Sequence, residues 1–288
     1  QSKRRGGACH TFFTGSLDDE TQRRGWIERD LRGAAERGEL RLLYQPRIDT
    51  HDGAVRSVEA LLRWKHPQHG PCPPDQFIPI AEESELIESI GLWVVDAACA
   101  QIVAWRDAGA PALRVAINVS ARQLRSDRLE RHLQSTLRRL HIAPTSLEIE
   151  ITESLLVDNL ELAIATLSRL RAMGILVALD DFGTGYSSLS SLRRLPIDVM
   201  KIDRAFVTDL DTDPSAQSVA RSIVALAGAL GKRIVAEGVE TQAQSRWLVD
   251  LGCHELQGYL YSRPVEPAAL MDYLKTTGPQ REPAPALG

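Results

Sequence analysis

The chain has 288 residues, 43% apolar and 25% charged, with a formal net charge of −4. That length suits one barrel of eight strand–helix units, typically about 250 residues, and the composition supports a large core. The near-neutral charge excludes a surface built to coat a DNA or RNA polymer, so any phosphate chemistry must be local. Cys9, Cys72, Cys99 and Cys253 are scattered without paired spacing, against a disulfide framework and for a reducing, cytoplasmic setting. Charges interrupt every long apolar run, so no membrane span is expected, although a longer parent could be membrane-anchored.

Residues 1–20 read as a lead-in. A helix is predicted over 21–38, capped by Thr21, with Trp26, Ile27 and Leu31 as its apolar stripe. Strands are predicted near 40–48 and 55–62. Only Thr50-His51-Asp52-Gly53 separates them, so they should pair as an antiparallel hairpin. A long helix follows over about 75–108, entered at Pro79. Strands near 113–119, 147–152, 175–180, 198–202, 233–237 and 255–258 then alternate with helices near 121–140, 158–173, 186–194, 214–230, 241–251 and 266–275. Such alternation implies a parallel sheet, and eight strands imply a TIM-like (β/α)8 barrel with an antiparallel first strand. A doubly wound open sheet is the rival. The Pro-rich tail 276–288 reads as disordered.

Polar residues interrupt the strands in phase. In Leu147-Glu148-Ile149-Glu150-Ile151-Thr152, the apolar residues share one face and Glu148, Glu150 and Thr152 the other. An apolar outer face then turns both glutamates inward, where unpartnered carboxylates are costly. The same arithmetic turns Asn118, Asp180, Lys201 and Glu237 inward, with Asp181 at the strand exit. Glu59 belongs to the second strand and Gln257 to the last. These residues would ring the mouth at the C-terminal ends of the strands, where barrel enzymes keep their chemistry.

A lone acidic residue at a strand end is usually a helix cap or a surface group; six in phase resist that reading. Like charges at 4 Å repel by about 1 kcal/mol in water and about 4 at an effective dielectric of 20. Divalent cations would remove that cost, and the oxygen donors suit Mg2+ or Mn2+ rather than zinc. Two such ions per site could activate water on a phosphodiester, with Lys201 orienting the water. Gly183-Thr184-Gly185 lacks the Lys-Ser/Thr of a phosphate loop and reads as a mobile turn, with Glu153 its candidate anchor. Arg63 is the best single phosphate ligand, or else a surface ion pair. His66 and His69 read as solvated loop residues. A lyase using Lys201 as a Schiff base is a competing class, but nearby carboxylates would keep that lysine charged.

These segments resemble the EAL domain family. Glu59-Ala60-Leu61-Leu62-Arg63-Trp64 looks like the signature that names it. Tyr44-Gln45-Pro46, Asn118-Val119-Ser120, Glu150-Ile151-Thr152-Glu153-Ser154, Asp180-Asp181-Phe182-Gly183, Lys201-Ile202-Asp203, Val235-Ala236-Glu237-Gly238-Val239-Glu240 and Gln257-Gly258-Tyr259 follow in order. The resemblance covers roughly 25–275. It implies hydrolysis of cyclic di-GMP to linear pGpG with two Mg2+ or Mn2+ ions, and inhibition by Ca2+. It implies metal ligands at Glu59, Asn118, Glu150, Asp180, Asp181 and Glu237, with Glu59, Lys201 and Glu237 catalytic. Gln45, Leu62, Arg63, Asp203, Glu240 and Gln257 would lie at the substrate. Glu153 would couple its loop to a homodimer interface. A non-cleaving cyclic di-GMP receptor is the other reading, disfavoured because every implied ligand is present. Lys3-Arg4-Arg5-Gly6-Gly7 looks like the end of a GGDEF domain, which implies an upstream GGDEF or sensor domain, with the barrel over 21–275. Arg47 and Glu85 depart from the family pattern, replacing an apolar residue and a glycine, and neither is expected to touch a ligand.

Overall fold

In the computed structural model, residues 15–153, 160–183 and 189–276 are described. The N-terminal segment 1–14, the tail 277–288, 154–159 and Thr184–Ser188 of the glycine loop lie outside them. The strands are β1 (Leu40–Asp49), β2 (Val55–His66), β3 (Gly70–Cys72), β4 (Arg114–Asn118), β5 (Leu147–Thr152), β6 (Leu176–Phe182), β7 (Val199–Ile202), β8 (Arg233–Ala236) and β9 (Glu255–Leu256). They run in the order β1-β9-β8-β7-β6-β5-β4-β2-β3, and β1 also pairs with β2, which closes an eight-stranded barrel with β3 appended. β1 is antiparallel to both neighbours, while β2 and β4 through β9 are mutually parallel, as the sequence predicts.

Asp49 and Asp52 side chains accept from the His51 and Ala54 amides in the β1–β2 turn, and Gly53 takes the positive φ it needs. Strand β3 was not foreseen; it extends the far end of β2 as a hairpin, Trp64 opposite Cys72.

The helices correct the sequence reading in three places. Helix α1 spans Gly15–Leu31, so Thr21 lies within it rather than capping it, and Gly33 in the left-handed region ends it. Its stripe is as predicted: Ile27 and Leu31 are buried, and Trp26 stacks on His69 at 4.1 Å and leans on Trp64. The long helix is two, α2 (Pro74–Glu83) and α3 (Leu86–Asp107), because Glu85 stands at φ 68° between them. A left-handed residue interrupts the helical hydrogen-bond run. Residues 123–125 form a 3-10 turn, and α4 begins only at Arg128 and runs to Leu140. Helix α3 is long and apolar enough to cross a membrane by length and composition, yet it packs on the barrel through Ile87, Val95, Ala98 and Trp105. His66 is another correction: it is buried, its Nδ1 accepting from the Gln68 and His69 amides.

Leu147, Ile149 and Ile151 of β5 are buried in the apolar core, while Glu148 and Glu150, on the alternate phase, form ion pairs with the buried Arg47. The lower layer of the interior is itself ionic. Glu148 Oε1 accepts from Arg47 at 2.6 Å, and its Oε2 lies 3.0 Å from Arg114 Nε in a close ion pair without hydrogen-bond geometry. Glu255 accepts from Arg114 at 3.0 Å, Arg233 at 2.9 Å and Ser57 at 2.5 Å. Buried charges survive only when paired and hydrogen-bonded, and this floor supplies its own partners.

Candidate metal centre at the barrel mouth

Above that floor, consecutive strands bring Glu59 (β2), Asn118 (β4), Glu150 (β5), Asp180 (β6) and Lys201 (β7) to one end of the barrel. Glu59 and Gln45 are cross-strand partners on β2 and β1, and Asn118 and Glu150 share a register on β4 and β5. Carboxylate oxygens of Glu59, Glu150 and Asp180 lie within 4.8 Å of one another. Lys201, wholly buried, sits among them: its Nζ is 2.7 Å from Glu150 Oε2, 2.8 Å from Asp180 Oδ2, 2.5 Å from Glu237 Oε1 and 3.8 Å from Glu59 Oε2.

Strict alternation would send Asp181 away from Asp180. Instead, β6 slips register against β7 between Leu179 and Phe182, and Asp181 takes φ 53°. Such bulges re-aim side chains beside active sites, and aspartate tolerates the left-handed region better than most residues. Asp181 thereby comes within the influence of Asp180, Asp203 and Lys201. Its amide donates to Asp180 Oδ1 at 2.8 Å. Asp181 and Glu237 stand outside the tight trio, Glu237 joining it through Lys201.

The charges do not balance. Glu59, Glu150, Asp180, Asp181 and Glu237 face one lysine, with Arg47 shared with the floor. Burial pushes Glu237 up to about 8 despite Lys201, and burial, Asp180 and Asp203 push Asp181 to about 6. Burial likewise pushes Glu150 up against the pull of Arg47 and Lys201. Glu59 goes down, to about 2: burial opposes its charge, but Lys201, Arg47 and bonds from Gln257 and Asn118 prevail. Burial works against the Lys201 charge too, yet four carboxylates hold it well above the ordinary value. Four carboxylates round the amine favour its charged form, which argues against the Schiff-base reading.

Glu237 Oε1 is buried and, despite the close lysine, outside hydrogen-bond geometry. An all-oxygen donor set with surplus negative charge fits a hard divalent cation such as Mg2+ or Mn2+ and does not fit a zinc site of sulfur and nitrogen.

The remaining sequence candidates divide. Gln45 donates to Ser262 O at 2.9 Å and accepts from Gln257. Gln257 Nε2 donates to Gln45 Oε1 at 3.0 Å and Glu59 Oε2 at 2.7 Å, so both its donors are committed inside the chain. Arg63 is half-buried, donates to Leu62 O and forms no ion pair with a described residue. Leu62, Arg63, Ile78 and Asn118 line a cleft of about 660 Å³, and Asn118 on its wall donates to Glu59 at 2.9 Å. Asp203 caps the following 3-10 turn through the Ala205 amide. Glu240 is exposed, with its amide on Gln244. Glu153, buried, accepts from the Gly183 amide at 3.0 Å and so ties down the start of the glycine loop.

One residue overturns its expectation. Arg47 does touch proposed site residues: Nη2 donates to Glu150 Oε1 and Nε to Gln257 Oε1 at 2.9 Å. The period-2 arithmetic that turns Gln45 inward turns Arg47 inward as well.

A family model described as "EAL domain" matches residues 28–264. The chain is 43% identical over 267 residues to the bifunctional diguanylate cyclase/cyclic di-GMP phosphodiesterase MucR of Pseudomonas aeruginosa, covering 93% of this chain and 39% of that protein. It is 42% identical over 271 residues to the cyclic di-GMP phosphodiesterase PdeR of Escherichia coli K12, covering 94% of this chain and 40% of PdeR. The chain thus spans well under half the length of these relatives. Among solved structures, the phosphodiesterase PaMucR in complex with c-di-GMP superposes with a TM-score of 0.80 at 45% identity, over 85% of this chain and 99% of that one.

Proposed function

The chain belongs to the EAL domain family, and from that premise we propose that it hydrolyses cyclic di-GMP to linear pGpG. The observation that carries the reading is the carboxylate cluster at the barrel mouth, whose Asn118 neighbour lines a cleft together with Arg63. Glu59, Asn118, Glu150, Asp180, Asp181 and Glu237 would hold two Mg2+ or Mn2+ ions, with Ca2+ inhibitory. Such ions supply Lewis-acid polarisation of the phosphodiester and a lowered pKa for water.

The chain's own groups do the rest. The Arg63 guanidinium, free of any described carboxylate partner, takes a phosphate oxygen of the substrate. Leu62 and Ile78 offer the apolar wall against which a guanine lies, with Gln45, Asp203 and Glu240 at the edges of the substrate. Lys201 holds its proton and orients the attacking water. Gln257, with its donors committed, fixes Glu59 rather than the substrate. Glu153 keeps the glycine loop in place, and that loop couples to a homodimer interface. The domain works in the cytoplasm, within a longer chain that carries an upstream GGDEF module.

The test is chromatographic product analysis of cyclic di-GMP incubated with the chain in Mg2+, in Mn2+ and in EDTA. Metal-dependent pGpG is the expected result. Binding without pGpG over hours would make the chain a receptor and sink the enzymatic reading.

A further inference from the structure

Arg47 belongs to the antiparallel strand β1, at the point where its register with β2 shifts between Arg47 and Ile48. Its three donor nitrogens go to three acceptors: Glu148 Oε1, Glu150 Oε1 and Gln257 Oε1. The side chain is wholly buried, so it has no solvent to turn to. Glu150 therefore gives one oxygen to Arg47. Its other oxygen, Oε2, faces the cluster, 2.7 Å from the same Lys201 Nζ that meets Asp180 and Glu59. Gln257 is set the same way. With Oε1 on Arg47, its amide nitrogen is left to Glu59 Oε2.

We propose that Arg47 is a positioning residue that restricts Glu150 to one-oxygen coordination and thereby biases the centre toward Mg2+ over Ca2+. Ca2+ takes six to eight oxygens and readily binds a carboxylate through both; Mg2+ demands compact octahedral geometry. A guanidinium fixed on Oε1 withholds the second oxygen that Ca2+ would use. Lys201 cannot do this, because it sits on the cluster side and is shared among four carboxylates. A lysine at position 47 could not do it either, since a point charge does not span three acceptors as a planar fork does. The inference rests on the reading of the cluster as a divalent-metal centre.

The experiment is calorimetric titration of the whole chain with Mg2+ and with Ca2+, without nucleotide. It compares the wild type with Arg47→Lys and with the charge-balanced double variant Arg47→Met/Glu148→Gln, which leaves the interior's net charge unchanged if the single variant does not fold. The Ca2+-to-Mg2+ affinity ratio is expected to rise about tenfold or more, the size of effect that partners of metal ligands exert. An unchanged ratio in a folded variant overturns the inference while leaving the metal reading intact. A wild type that binds neither ion overturns both. The wild type also offers a readout that needs no variant at position 47. The infrared carboxylate stretch of Glu150, isolated by subtracting the Glu150→Gln spectrum, is expected to show the wide splitting of a one-oxygen ligand with Mg2+. The narrow splitting of a two-oxygen ligand would refute it.

Discussion

Two charged layers lie one above the other inside the barrel. In the lower one, Glu148 and Glu255 meet Arg47, Arg114 and Arg233, and Ser57 adds a donor. In the upper one, four carboxylates gather round Lys201 with Asp181 close by, and Arg47 lends a share. On β2, β4 and β5 one period-2 phase supplies both layers: Ser57 and Glu59, Arg114 and Asn118, Glu148 and Glu150. The lower is neutralised by the chain itself and needs nothing further. The upper is left short of positive charge, and external divalent cations fit there. Acidity inside a fold marks a functional site when the chain withholds the counter-charge, not when it merely buries the acid.

The comparison breaks most sharply at the upper layer. Glu59→Gln and Asp180→Asn are each expected to lower cyclic di-GMP turnover by at least about 10²–10³-fold, the size of losing one electrostatic contact to a transition state. Folding, followed by circular dichroism, should persist; full turnover in either variant would remove the site. In the lower layer the effect should fall on stability instead. Glu255→Gln removes the carboxylate that Arg114 and Arg233 share, leaving Arg114 only Glu148, and is expected to cost about 3 kcal/mol in urea unfolding. Turnover per folded molecule should hold, and a selective loss of turnover would mean the floor is part of the chemistry.

A smaller effect has the opposite sign. Glu237 has a folded pKa of about 8 against an ordinary 4.5, so between those values the unfolded chain releases a proton that the folded chain keeps. Native stability therefore falls as pH rises through that window. Glu237→Gln lacks this cost and is expected to stabilise the metal-free protein at pH 7 by about 1–3 kcal/mol. A melting temperature in EDTA at or below that of the wild type would contradict it. The smallest effect is a change of slope. Glu255 is mostly buried, which raises its pKa, but Arg114, Ser57, Arg47 and Arg233 outweigh burial and hold it below 4.5. Its stabilisation is complete above 4.5 and is lost as pH falls through the lower folded value. The stability gap between wild type and Glu255→Gln should narrow below about pH 4.5. A gap constant to pH 3 would show that the floor gains nothing from that charge.

Much of the upper layer was legible because strand phase is local. Six residues of β5 suffice to turn Glu150 inward, and Asn118, Asp180 and Lys201 follow from equally short stretches. Asp181 was legible only as an exit residue; the bulge that returns it to the mouth depends on β7 as well as β6. The floor was not legible as a floor. Glu148 was correctly turned inward, but its partners lie on β1 and β4, and those of Glu255 on β2, β4 and β8. Arg114 with Glu148 and Arg233 with Glu255 join neighbouring strands, but Arg47 with Glu148 and Arg114 with Glu255 cross the barrel and exist only once it closes. Arg47 was misjudged for a different reason: an expected apolar residue outweighed the alternation that already placed it inside. Glu85 stands where the family pattern has a glycine, the one hint of a left-handed position, but nothing in a glutamate's own propensity marks a helix break there.

The closing seam between β1 and β9 has a temporal consequence. It consists of two residue pairs, Ile48 with Leu256 and Asp49 with Glu255. Gln257, immediately beyond it, reaches back 198 residues to Glu59 and 210 to Arg47. On the ribosome the N-terminal strands emerge long before their closing partner exists. Contacts of such separation form late, after the local strand–helix units. Glu59 and Arg47 thus wait, without their amide partner, until nearly the whole barrel has been synthesised. A nascent or prematurely ended chain carries the acidic residues but not the assembled centre.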